Sequence, residues 1–319
     1  MKLKVAAVTL FSLLYSLAVF GQQGNTPQAP ATDTVAPDIP GVVKGGTKVQ
    51  VIKDDFVATE GPITLPDGSL IFTETTASRI TKIDSNGKVS TFLEHTNASN
   101  ALAFDTKGRL ITVQRGGEGG KPQIGVIYPK GQEAVLADSY DGTPIVNPND
   151  LVVDKKGGVY FTEPPAKPAA VVYIPAGGKA VKATDTVVRP NGIQLSPDEK
   201  TLYVNSGAEH LIAFDVHPDG SLTNRRNFAT YLNMQKGPNG MASGADGLAV
   251  DSQGRVYAAT NGGVEVFSEQ GQHLGTIPLS RKPQNLAFAG PDKKTLYVVG
   301  RRAAFKIQML AQGYKGRAK

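Results

Sequence analysis

Six positions along this 319-residue chain carry a carboxylate or side-chain amide just where an apolar strand begins: Glu60, Asn100, Asn149, Asn191, Asp246 and Asn285. All are oxygen donors and two carry charge. Brought together, they would be costly to leave dry and unpaired. With no His or Cys among them, they suit a hard cation. Ca²⁺ fits best, because Mg²⁺ demands a tighter octahedron and Zn²⁺ normally recruits imidazole or thiolate. A cation exposed at a channel mouth can polarise a lactone or ester carbonyl, and a carboxylate beside it can orient and deprotonate the attacking water. Taken singly, Asn191-Gly192 and Asp246-Gly247 read only as turn dipeptides. The chemistry therefore depends on the six meeting.

Their spacing says that they do. Each opens the same unit: an apolar strand, a polar turn with an acid, and a second apolar strand, as in NDLVVDKKGGVYFTE from Asn149. The turn acids are Asp67, Asp105, Asp154, Asp198, Asp251 and Asp292, at intervals of 38, 49, 44, 53 and 41 residues. Self-similarity at this period with strand–turn–strand content predicts an all-β, six-bladed β-propeller. Helical repeats are excluded, because no long segment has a 3.6-residue apolar period. From the polar residue to the first apolar residue of the second strand is 10 positions in units one, two, three and five, and 11 in units four and six. The register is thus equivalent, and the six side chains are expected at one mouth of the central channel.

The second strand of each hairpin returns to that mouth. Its end places Glu74, Gln114 with Arg115, Glu163, Asn205, Asn261 and Arg301 on the rim, and Arg115 and Glu163 are expected substrate contacts. His95, His210, His217 and His273 all fall outside the ring, and no Gly-x-Ser-x-Gly elbow supports a serine triad. The glycine run 116–120 lacks the Lys-Ser/Thr and helix of a phosphate cradle.

The ends of the chain organise the rest. Residues 1–21 read as a cleavable secretory signal, with Lys2 and Lys4 before a short apolar run and small residues at Val19 and Gly21. That run is too short to span a membrane, so no stable anchor is expected after cleavage. Residues 22–46, rich in Pro, Gly, Ala and Thr, read as a flexible linker. The propeller is placed at 47–314 and a basic tail at 315–319. Lys48–Ile52 alternates as a lone strand, expected to pair with residues 303–310 and close the ring. The absence of Cys removes disulfides and thiol chemistry. The formal charge of +6 is scattered, without the basic stripe of a nucleic-acid binder. A secreted or periplasmic protein with a small-molecule partner is the expectation.

The phrases Glu60-Gly61-Pro62, Asn147-Pro148-Asn149-Asp150-Leu151, Pro190-Asn191-Gly192 and Asp246-Gly247 resemble those of the gluconolactonase and regucalcin (senescence marker protein) family, over about residues 55–310. Residues 161–165 (FTEPP) also resemble the bacterial lactonase members, which commonly have Asp where Glu163 stands. The resemblance implies a channel-bound divalent ion, usually Ca²⁺, held by Glu60, Asn149, Asn191 and Asp246. It further implies Asn100 as a substrate contact and Asp246 as general base. The chain departs at Ala98, where animal members have Arg, and at Gln114-Arg115, where bacterial lactonases often have Glu-His; both touch sugar recognition. The expected activity is metal-dependent hydrolysis of a lactone or ester, with a sugar lactone as substrate class. The alternative is a ligand- or protein-binding propeller whose ion is structural.

Overall fold

The recurring turn acid folds each unit into a hairpin. In the computed structural model, which describes residues 29–164, 168–237 and 240–316, Asp105 Oδ1 accepts from the amides of Lys107 and Arg109 at 2.9 and 2.8 Å. Asp154 receives Lys156 and Gly158 in the same way, and Asp251 receives Gln253 and Arg255. The left-handed step within each turn falls on Gly108, Gly157 and Gly254, with φ of 73°, 86° and 76°. That conformation is strained for side chains with a Cβ.

The hairpins join into six antiparallel sheets whose innermost strands are Thr59–Thr64, Ser99–Phe104, Leu151–Val153, Ile193–Leu195, Leu248–Val250 and Asn285–Ala289. Each innermost strand lies against the next, and the sixth returns to the first. The molecule is an all-β, six-bladed propeller, and its one helical element among the described residues is the 3-10 turn Thr75–Ala77. Six clusters of buried side chains, among those residues, fill the gaps between neighbouring blades. Tyr160, Val171 and Tyr173 of blade three, for example, pack on Ile193, Leu202 and Phe214 of blade four.

Blade six is built from both ends of the chain. Lys48–Lys53 hydrogen-bonds to Ala303–Gln308, pairing Val49 with Ile307 and Val51 with Phe305. Thr34–Val35 adds a fifth strand outside it.

The expected signal segment, residues 1–21, and the tail residues Arg317 and Lys319 lie outside the described residues. The expected linker is corrected over its described part, because residues 31–46 belong to the folded unit Ala31–Lys319. Ala36, Ile39, Val42 and Val43 are buried against blades five and six. Leu310 N donates to Val42 O at 2.9 Å, and Lys48 pairs with Asp33 at 2.6 Å. Composition misled here: Pro, Gly and Thr dominate the segment, while four dispersed apolar residues do the packing without any period.

Fully buried Val and Ile side chains each contribute about 1.5–3 kcal/mol. Truncation after Gly46 is therefore expected to lower Tm by roughly 10 °C relative to truncation after Pro30, measured by thermal unfolding. Equal melting temperatures would mean that the segment is indeed a tether.

Candidate active site and metal centre at the channel mouth

Each of the six sequence-predicted ring residues stands at the start of its innermost strand. Glu60, Asn100 and Asn285 lie within the strands, while Asn149, Asn191 and Asp246 precede theirs by two residues. The latter three still keep the ladder, their amides donating to Thr162 O, Asn205 O and Ala259 O.

The side chains form a hydrogen-bonded arc. Asn100 Nδ2 donates to Asn149 Oδ1 at 2.8 Å and to its main-chain oxygen at 2.9 Å. Asn149 Nδ2 donates to Asn191 Oδ1 at 2.8 Å. On the other side, Asn285 Nδ2 and Gln284 Nε2 reach the two oxygens of Glu60, both at 3.3 Å.

Glycine makes the ring this tight. A Cβ on Gly61 would meet Asn100 O at 2.5 Å, one on Gly192 would overlap Asp246 O, and one on Gly247 would overlap the Asn285 side chain. The Asx-Gly pairs that look like turn dipeptides are close approaches between adjacent blades. Gly192 N also donates to Asp246 O at 2.9 Å.

Electrostatically, the ring holds two acids in a desolvated place. Burial pushes the Glu60 carboxyl well above the usual range, and Asp246 pushes it further, with Arg115 opposing. Burial likewise raises Asp246 to about 6, against the pull of Lys282 and Arg115. Among the described residues neither carboxylate has a cation within ion-pair distance. Nor do three or more His, Cys, Asp or Glu cluster there. Any ion at this mouth would meet two carboxylates and the amide oxygens of Asn149 and Asn191, in place of the hydrogen bonds those amide oxygens accept from Asn100, Arg115 and Asn149. That uncompensated acid pair with neutral oxygen donors fits a hard divalent cation.

A cavity of about 460 Å³ opens beside Asn149, Asn191 and Asp246, with Arg115, Arg189 and Lys282 on its wall. Arg115 Nη2 donates to Asn149 Oδ1 at 2.7 Å and its Nε to Pro148 O at 3.2 Å. Of the three expected substrate contacts, Arg115 lines this cavity and the other two do not. Asn100 is buried, its oxygen held by Thr75 and its amide by Asn149. Glu163 is fully buried under the preceding loop, where Oε1 accepts from the Val146 and Asn147 amides. It fixes the approach to Asn149; the loop from blade two's edge folds over it, which the repeat alone could not reveal.

Other rim expectations divide similarly. Glu74 is buried and paired with Arg79 at 2.8 Å. Asn205 is buried, and its Nδ2 donates to Asp246 O at 2.6 Å and Gly247 O at 3.2 Å, with Tyr231 OH on its oxygen. Sequence reasoning missed Gln284, one residue out of register with Asn285. It also missed Asp150, whose oxygens receive the Leu151 and Ile193 amides at 2.8 and 3.2 Å.

A buried acid held above its unfolded pKa costs stability at any pH above that unfolded value. Glu60→Gln is therefore expected to raise the Tm of chelator-treated protein by a few degrees and to abolish the further rise on adding Ca²⁺. A variant that keeps the Ca²⁺-induced rise would show that Glu60 is not a ligand.

Residues 58–302 match the family model described as the SMP-30/Gluconolactonase/LRE-like region. A gluconolactonase from Zymomonas mobilis is 28% identical over 303 residues, covering 82% of this chain and 82% of its own. The solved structure of a gluconolactonase from Xanthomonas campestris has 26% identity and a TM-score of 0.74, covering 88% of this chain and 99% of its own. A calcium-binding regucalcin from Agrobacterium tumefaciens shares the fold at 18% identity and a TM-score of 0.68, over 84% of this chain and 98% of its own. The chain belongs to the SMP-30/gluconolactonase/LRE-like family.

Proposed function

We propose that this protein is an exported, divalent-cation-dependent hydrolase of lactones or esters, with a sugar lactone as its substrate class and Ca²⁺ as its ion. One observation carries the reading: the Asp246 carboxylate lies on the cavity wall, raised to about 6, and receives no hydrogen bond among the described residues. Its main chain is the opposite. Asn205 and Gly192 hold its carbonyl, and Ala259 holds its amide. A carboxylate that is free while its backbone is pinned is aimed at something in the cavity. The gluconolactonase relatives support the substrate class, and the calcium-binding neighbour supports the ion.

Glu60, Asn149, Asn191 and Asp246 would hold the cation, which when bound supplies Lewis acidity towards the substrate carbonyl. Asp246 takes a proton from the attacking water as its oxygen bonds to the carbonyl carbon. The ring C–O bond then breaks, and the same proton passes to the departing alkoxide. The hydroxy acid leaves with Asp246 a carboxylate again. Arg115, anchored on Asn149, keeps donors free to orient the substrate's oxygens. Glu163 and Asn205 act through the groups they hold, the Asn149 loop and the Asp246 main chain.

On a panel of aldonolactones and aryl esters, chelator is expected to abolish turnover and Ca²⁺ to restore it. Asp246→Asn should lower kcat by about 10²–10⁴-fold while circular dichroism stays unchanged. Turnover indifferent to both would refute the mechanism, and inactivity across the panel with the ion bound would favour the binding-module reading. Export is tested by N-terminal sequencing of protein released from a bacterial host, with processing after Gly21 expected. Retention of the unprocessed chain in the cytoplasm would contradict export.

A further inference from the structure

Beside Asp246, the cavity carries cations that the reaction above does not use. Arg189 and Lys282 line it with Arg115. The charge of Arg301 acts on both Asp246 and Lys282. These cations come from two blades: Arg189 precedes the inner strand of four, Lys282 precedes that of six, and Arg301 turns the second hairpin of six.

Two glycines make room for two of them. A Cβ on Gly244, with φ of 61°, would collide with Lys282 Nζ, and one on Gly207 would stand 2.6 Å from Arg189 Nε. Both glycines are themselves on the cavity wall. Arg189 Nη2 donates to Gly207 O at 2.7 Å, which holds its guanidinium across that glycine.

Arg301 occupies a costly position. Arg301 and Arg302 are the two central residues of the tight turn between Gly300 and Ala303, with φ of 46° and 73°. Such turns strongly prefer Asn-Gly, and side chains beyond glycine or asparagine are strained there. Gln284, the residue that also touches Glu60, holds the Arg301 amide at 2.8 Å. Among the described residues neither the Lys282 ammonium nor the Arg301 guanidinium has a hydrogen-bond or ion-pair partner, although Lys282 is only partly exposed. Burial pushes the Lys282 ammonium down, while Asp246 supports it.

The charges decide what is missing. Three cations, Arg115, Lys282 and Arg301, act on Asp246, and Asp150, the third carboxylate there, receives two main-chain amides. Once a divalent cation meets the two acids, Lys282 and Arg301 have nothing to neutralise them. A neutral sugar lactone supplies no counter-charge.

We propose that the natural substrate carries an anionic substituent besides the lactone carbonyl, a carboxylate, sulfonate or phosphate, seated between Lys282 and Arg301, with Arg189 on the same cavity wall. The inference rests on reading the site as a lactone hydrolase, and it names the substrate's charge.

D-glucono-1,4-lactone and D-glucaro-1,4-lactone differ by a hydroxymethyl against a carboxylate, so they isolate the effect. The wild-type, Ca²⁺-loaded protein is expected to show at least about tenfold higher kcat/KM for the glucaro compound, a charge-assisted contact being worth that much. The preference should shrink as ionic strength rises. Lys282→Met and Arg301→Gln should each reduce the ratio of the two kcat/KM values by about tenfold. Equal kcat/KM for the two lactones in the wild type, or a ratio that neither variant moves, would overturn the proposal.

Calorimetric titration with D-glucuronate, and with glucose as the neutral control, separates this inference from the hydrolase reading. Lys282-dependent binding of glucuronate with no lactone turned over would keep the anion subsite and sink the hydrolase. Turnover of the neutral lactone without preference or glucuronate binding would do the reverse.

Discussion

The structure depends on two carboxylates, Glu60 and Asp246, being held in one desolvated mouth without a cation of the protein in contact with either. Neither burial nor mutual repulsion favours this arrangement on its own. It persists because each acid is attached to a strand whose position is fixed by larger forces. Interblade packing sets the six strands in a ring. The ladder then leaves no freedom for the residue at the start of each strand. The fold supplies the energy, and the site draws on it.

How closely the strands converge is set by absence of side chains. Gly61, Gly192 and Gly247 each follow a ring residue and each face the main chain or side chain of the next blade's ring residue. The same glycine that admits the neighbour also fixes the preceding acid or amide. At Gly192 this becomes a hydrogen bond to the Asp246 carbonyl. Gly207 and Gly244 repeat the device on the cavity wall for Arg189 and Lys282. Small residues thus position both the acids and the cations, and the chemistry of the mouth follows from where a Cβ cannot be.

Much of this could be read from the chain. A period set by one turn acid per unit gives the blade count, because Asp105, Asp154 and Asp251 perform the same amide-capturing job wherever they recur. Register then places Glu60 and Asp246 at one mouth, since a one-residue slip would turn either side chain to the other face. What escaped is what repeats do not carry. Val42 and Val43 pack without periodicity, so composition mistook their segment for a linker. Glu163 has the rim register but is roofed by the loop that leads from blade two's edge into blade three. Gln284 and Lys282 lie outside the repeating positions and act only through tertiary proximity.

The central claim is that the desolvated acid pair is a cation site. Calorimetric titration of Ca²⁺ into chelator-treated, full-length protein tests it most directly. The account predicts one ion bound per chain in the wild type and none when Glu60 and Asp246 are both replaced by their amides. Undiminished binding in the double variant, or no binding in the wild type, would contradict it.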